Sequence, residues 1–377
     1  MRVIVVGGGV VGCSVAWHLA PHADVVVLEA GARPGGEATA QNAGMVRRLG
    51  EDPAERALAI RTAEWLADPP PAFRGASRVT GAVLGLAHDQ WHLHDAASHL
   101  RARGVDVHAC DRPCDLAPAL AGSAVPFAWW LPAERVADPT ALVRGFLSAP
   151  IEVRVNTPAL SLVRRQGRVV GVQTAHEVLE ADAVVLAAGA WSGVLGQRPL
   201  MPVRRSIAQT SRHDLATDQH PWVWLDDVGV YARPRDGAWL VSSCDEVPEA
   251  PPVGPGSTGR ASADAMAMAH DRLARWLPAL GALAVARSWS GLRTFASDRR
   301  PMLGEDDDAP GLWWAAGLGG YGITCSVGVG EVVSQDLLGA PVDYLSHDWV
   351  RPSRSLPTRW PVRYTGALDE ARLAPAV

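Results

Sequence analysis

Apolar and polar positions divide the chain into strands and helices from its first residues. Val3-Ile4-Val5-Val6 is an unbroken apolar run, too short for a helix, and predicts a strand buried on both faces. Three glycines follow and open a helix from Val10, and Val25-Val26-Val27-Leu28 repeats the buried-strand pattern. Apolar residues at helical spacing (Ala54, Leu58, Trp65, Leu66) predict a helix over 51–67, stopped by Pro69-Pro70-Pro71. Residues 78–87 alternate like a strand entering a second sheet. A helix over 88–103 then stops at Gly104, and a short strand covers 105–107. Asp138 before Pro139 is a helix N-cap with proline at the first helical position, opening a helix over 140–147. Strands are expected at 151–155, 169–174 and 184–187. A hairpin of 228–233 with 239–243 is expected to turn at Asp236-Gly237. Pro248 to Gly259 reads as a loop, 261–277 and 323–338 as helices, and the tail from Asp343 as surface chain.

The first segment carries chemistry. Gly7, Gly9 and Gly12 form G-x-G-x-x-G between a strand and a helix, with Glu29 at the end of the next strand. Gly7 permits the turn, Gly9 lets backbone approach a pyrophosphate, and Gly12 lets helix and strand pack closely. The first N–H groups of the helix face the phosphates, and the Glu29 carboxylate accepts from ribose hydroxyls. The arrangement predicts a bound adenine dinucleotide.

A long loop of small and polar residues follows, from Gly31 to Met45, where NAD enzymes usually proceed to another helix and strand. It resembles the loop after the ribose acid in the glycine oxidase, sarcosine oxidase and D-amino acid oxidase superfamily of FAD enzymes. Ala181 to Ser192 resembles that superfamily's second flavoprotein strand and glycine turn. Trp289 to Phe295, with Asp298, Pro301, Gly304 and the glycine run 317–323, is similar to the C-terminal block of D-arginine dehydrogenase-like enzymes. The three motifs occur in the family's order from residue 1 to about 338.

The resemblance implies an α/β fold with a discontinuous Rossmann-type FAD-binding domain (1–75, 136–201, 288–342). A substrate domain on a mixed or antiparallel sheet (76–135, 202–287) and a tail (343–377) complete it. It places non-covalent FAD against Gly7, Gly9, Val10, Val11 and Gly12, and against Glu29, Ala30, Arg33, Gly36, Glu37, Ala38 and Thr39. Asn42, Ala43, Gly44 and Met45 continue the loop. Val155, Ala188, Gly189 and Trp191 flank the second strand, and Gly317, Gly319, Gly320, Tyr321, Gly322 and Ile323 pass the flavin. A helix N-terminus beyond that run would stabilise charge developing on the reduced ring.

Composition narrows the chemistry. The 377 residues suffice for two connected domains, and a net charge of −5 offers no basic patch for nucleic acid. No apolar run is long enough to span a bilayer, and strand and fingerprint stand where a signal peptide would. A cytoplasmic protein is expected. Lysine is absent: all 35 basic residues are arginine, which excludes Schiff-base and P-loop lysine chemistry. Some relatives use a lysine near the flavin to activate oxygen, so the acceptor, O2 or a quinone or other carrier, stays open with a lean toward a dehydrogenase. Cys13, Cys110, Cys114, Cys244 and Cys325 are an odd set of thiols without a second metal-ligand pair, and no metal is expected. His88, His92, His94 and His99 read as a solvated helix, and Asp306-Asp307-Asp308 as a solvent loop.

Amino-acid oxidation on flavin moves a hydride from Cα to N5, so the protein must bind, orient and exclude water. Arg293 is the expected carboxylate clamp, as a planar fork, and it matches the arginine that binds substrate carboxylate in the D-arginine dehydrogenase-like enzymes. The alternative is an ion pair with Asp298. Tyr231 and Arg233 lie two apart on one strand and share a face. Tyr231 adds a second bond to the carboxylate, and Arg233 either does likewise or secures the hairpin. Tyr321 contacts substrate or closes over the ring. The expected activity is FAD-dependent oxidative deamination of a small, neutral D-amino acid, because the strand 81–87 offers no acid for a cationic side chain. Oxidation of glycine, an N-methyl amine or a 2-hydroxy acid, and a flavin subunit of a larger dehydrogenase, are the rivals.

Overall fold

In the computed structural model, residues 1–87 and 91–357 are described, with the side chains of Trp91 and His92 left aside. A six-stranded sheet orders Met302–Glu305, Leu312–Ala316, Ala183–Leu186, Arg2–Val6, Asp24–Leu28 and Glu152–Arg154, parallel except at its Met302–Glu305 edge. Its central strand is apolar because both faces are covered: Val3 and Val5 pack on one side, Ile4 and Val6 on the other. Helices Val10–Leu19 and Ser326–Leu337 pack on the first side. A small antiparallel sheet, Ser161–Arg165, Arg168–Gln173 and Val178–Glu180, contributes Val169, Val172 and Leu179 to the second.

Gly7 has φ +109°, and a Cβ there would lie 2.4 Å from the Ala187 carbonyl oxygen. One on Gly12 would lie 2.0 Å from that of Gly7. The fingerprint glycines therefore let strand, turn and helix close on one another.

A larger sheet carries the rest. The strand Met201–Thr210 pairs along its length with Val285–Phe295 and also with Ala238–Ser242. The sheet continues through Val230–Arg235, Trp222–Leu225, Ala82–Leu86, Phe127–Leu131 and His108–Cys110. The hairpin turns at Asp236 (φ +55°) and Gly237 (φ +75°), as two positive-φ residues require. Asp138 caps Pro139–Phe146 through the N–H groups of Thr140 and Ala141.

Several expectations are corrected. The single strand at 78–87 is two, Ser77–Val79 and Ala82–Leu86, in different sheets. The break is Gly81, at φ +72°, where a Cβ would strike the Trp130 ring. Residues 105–107 are not a strand, since Val105 and Val107 turn into the core and Arg101 takes the Val107 carbonyl at 2.7 Å. The strand is His108–Cys110. The boundary expected at 288 falls inside the strand Val285–Phe295, so Arg293 sits on the large sheet. The last long helix starts at Ser326, and Cys325 is its N-cap residue, not a position one turn inside. The tail docks as far as it is described: Leu345 and Val350 are buried, and Arg354 pairs with Asp298 at 2.6 Å. Asp306 is buried, and Arg198 and Trp314 donate to it, so only its neighbours form a solvent loop. His94 lies against the rings of Phe127 and Trp129, while His88 falls outside the described residues. No helix among the described residues is long and apolar enough to cross a membrane.

Candidate active site

Two connected spaces lie between the sheets. The larger, about 590 Å³, runs from Glu29 and the fingerprint turn to Arg293 and the glycine run 317–322. That is a cofactor-sized cavity, elongated and mainly apolar. At its first end Glu29 is buried, and its carboxylate accepts from Gly8 N at 3.0 Å and Gly31 N at 2.7 Å. Those bonds fix the carboxylate and leave further lone pairs for ribose hydroxyls. Burial pushes its pKa above the ordinary carboxylate value, against these two bonds. Thr39 takes Val10 N at 3.0 Å and holds the cofactor loop over the helix start.

Gly7, Gly9, Val10, Val11, Glu29, Ala30, Gly36, Glu37, Ala38, Thr39 and Asn42 line this cavity. So do Ala188, Gly189, Trp191, Gly317, Gly319, Gly320, Gly322 and Ile323. Gly12, Arg33, Gly44 and Val155 do not. Gly12 packs under the turn, and Arg33 and Val155 face solvent. A Cβ on Gly44 would lie 2.4 Å from the Ala137 carbonyl, so this glycine serves backbone packing.

The Glu37 carboxylate reaches across to the Pro248–Gly259 loop, accepting from Gly256 N at 2.7 Å and from Ser257 N and Oγ. Trp191 donates to the Pro252 carbonyl at 2.9 Å. Pro251 to Pro255 therefore line the cavity, which the sequence reading of a plain loop missed.

The smaller space, about 30 Å³, opens beside Arg293 and Gly320. Asn42, Ala43, Met45, Arg47, Trp224, Tyr231, Tyr321 and Thr324 complete its lining. Arg293 projects from the large sheet with no hydrogen bond or ion pair among the described residues. Its expected alternative partner, Asp298, is taken by Arg354. Burial and the neighbouring Arg205 lower its pKa to about 10, so it stays cationic at neutral pH. A Cβ on Gly320 would lie 2.3 Å from Arg293 Nη1, so glycine there admits the guanidinium.

Tyr231 is fully buried, its hydroxyl has no hydrogen-bond partner among the described residues, and burial raises its pKa. Ser242, opposite it, is committed to the Ser206 carbonyl. Tyr321 stands at the cavity with its ring 5.0 Å from the Arg47 guanidinium. Arg233, the fourth candidate, lines neither space. It donates to the Ala43 carbonyl and so anchors the cofactor loop, and burial lowers its pKa to about 10. The Cys325 thiol points at the Glu55 carbonyl at 3.7 Å, and burial raises its pKa.

Arg47, Asp226, Trp224 and Arg205 escaped the sequence reading. Arg47 and Asp226 pair at 3.0 Å beside the small cavity, and Trp224 lies under Arg47. Arg205 lines the larger cavity, where it is paired with Glu246 at 3.0 Å and its Nη1 has no partner among the described residues. Each of these arginines stands in an Arg-Arg pair, Arg47-Arg48 and Arg204-Arg205, at the edge of a short apolar run, and such a pair reads from sequence as exposed charge.

An elongated cavity with a fixed acid at one end and an unpaired cation at the other fits an extended flavin dinucleotide. Residues 2–335 match the DAO family, described as FAD dependent oxidoreductase. The chain belongs to this family. It is 31% identical over 364 residues to a glycine oxidase of Pseudomonas putida, covering 90% of this chain and 95% of that protein. It is 30% identical to D-amino acid dehydrogenase 2 of Ralstonia nicotianae, over 62% of this chain and 60% of that protein. Among solved structures, L-proline dehydrogenase from P. horikoshii superposes with a TM-score of 0.83 at 21% identity. The match covers 93% of this chain and 96% of that one, and shows a shared fold. As a DAO-family member the protein is an FAD-dependent oxidoreductase of amino acids or amines, as the resemblance implied.

Proposed function

We propose that the protein oxidises the Cα–N bond of a small neutral amino acid, either glycine or a D-amino acid of similar size. The product is an imino acid that hydrolyses to a 2-oxo acid and ammonia. One observation carries the reading: Arg293, a cation without a partner among the described residues, faces a space of about 30 Å³. A guanidinium withdrawn from water requires an anion, and a carboxylate matches its fork.

Non-covalent FAD, when bound, supplies the hydride acceptor. The chain's own residues do the rest. Arg293 takes the substrate carboxylate, and the unpaired Tyr231 hydroxyl donates a second bond to it. Tyr321 covers the site and excludes water. With the carboxylate fixed at Arg293, Cα is presented toward the larger cavity, which Gly320 and Arg293 share with the smaller one.

The test is anaerobic mixing of the holoenzyme with glycine, sarcosine, glycolate and both enantiomers of alanine, followed by flavin absorbance. Bleaching by glycine or D-alanine is expected. Bleaching by glycolate or sarcosine alone, or by none, overturns the reading. Oxygen consumption against dye reduction then assigns the acceptor.

A further inference from the structure

The small cavity has room for roughly two waters, at about 10–15 Å³ each. Arg47 forms one of its walls, and that residue is held from several directions. Its Nη1 meets Asp226 Oδ1 at 3.0 Å. Its guanidinium carbon lies 4.3 Å from the Trp224 ring centre and 5.0 Å from that of Tyr321. Its backbone N–H reaches Thr324 Oγ1 at 3.4 Å, and Thr324 in turn donates to the Met45 carbonyl at 3.0 Å. Arg47 and Asp226 are both buried, and the Arg47 Nε–H has no acceptor among the described residues.

From this we infer that the Arg47–Asp226 pair determines specificity, limiting the substrate to a short side chain and a single negative charge. The inference rests on the carboxylate clamp proposed above and names what that clamp selects. Two effects follow from the pair. Stacked between two rings, the guanidinium fills the volume a longer side chain needs. Neutralised by Asp226, it leaves Arg293 as the one uncompensated cation on the small cavity, so a second substrate carboxylate finds its place already taken by Asp226. Remove the Asp226 charge and Nη1 is released beside Nη2, an edge of the guanidinium that suits a second carboxylate.

The experiment titrates holoenzyme with non-reactive carboxylates and reads the shift in the flavin spectrum. Acetate probes the clamp, benzoate adds bulk, and malonate adds a second charge. The wild type is expected to bind acetate at least tenfold more tightly than benzoate or malonate. D226N is expected to gain malonate by at least tenfold relative to acetate. The double variant R47A/D226N, which leaves no unpaired carboxylate behind, is expected to gain benzoate and to oxidise D-phenylalanine relative to D-alanine. Wild-type binding of benzoate or malonate as tight as acetate overturns the inference, with no variant required. So do unchanged ratios in variants that retain flavin. If acetate binds nowhere in the holoenzyme, the carboxylate clamp itself fails, a distinct result from a clamp that binds without discriminating.

Discussion

Replacing Arg293 by methionine separates a clamp from a structural arginine. Methionine keeps the length and apolar stem of the side chain and removes the fork. Each charge-assisted hydrogen bond to a carboxylate contributes about 1.5–3 kcal/mol, so losing two costs about 3–6 kcal/mol. At 1.4 kcal/mol per factor of ten, kcat/KM falls by about two to four orders of magnitude. The loss should fall mainly on KM if the carboxylate is held equally in substrate and transition state. Stability should move the other way. Arg293 has no partner among the described residues and stands near Arg205 on one face of the sheet, so its removal relieves a desolvated like-charge contact. The melting temperature of R293M without ligand is expected at or above that of the wild type. Acetate should stabilise the wild type by mass action and leave the variant unmoved. The assays are steady-state kinetics on glycine or D-alanine and thermal melts with and without acetate, at matched flavin content. An unchanged KM, or a variant that melts well below wild type and still responds to acetate, would refute the clamp.

Three further outcomes follow. Binding needs the charged form of Arg293, whose pKa lies at about 10, so KM should stay flat in that limb up to about pH 9 and rise above pH 10; an earlier rise would assign another group. Glu29→Gln keeps an acceptor oxygen for only one of Gly8 N and Gly31 N, sets an NH2 against the other and loses the charge, and should weaken FAD binding by at least about tenfold on fluorescence titration. Asp306 feels burial first, which raises its pKa, yet bonds from Arg198 and Trp314 prevail and hold it below the ordinary value. Its stabilising contribution is therefore present above the unfolded pKa of about 3.9 and lost as pH falls through the lower folded value. Asp306→Asn should cost about 2 kcal/mol at pH 7 and flatten the acid side of the melting profile.

The cofactor end of the site was legible because its chemistry is local. Gly7, Gly9, Gly12 and Glu29 lie within one strand–turn–helix–strand unit; backbone crowding forces glycine at 7 and 12, Gly9 lines the cavity, and Glu29 accepts from Gly8 and Gly31. Arg293 was legible through the motif around it, and Tyr231 through strand alternation. Arg233 shows the limit of alternation. It shares a face with Tyr231, yet the Ala43 carbonyl claims its guanidinium, a contact 190 residues away that no spacing encodes. Arg47 and Asp226 were missed for the same reason, since each looks like a surface charge until the fold joins them. The helix start at 326 was misplaced because the apolar pattern of Ile323 continues into the turn before the helix.

Arg293 stands on the strand Val285–Phe295, hydrogen-bonded to Met201–Thr210 from end to end. A side chain presented by two paired strands, with Gly320 fitted against its fork, has little freedom to surrender when an anion arrives. The receptor is preorganised, and capture of a carboxylate should proceed in a single concentration-dependent phase. No slow isomerisation should precede it, and structures with and without ligand should superpose at this strand to within about 1 Å.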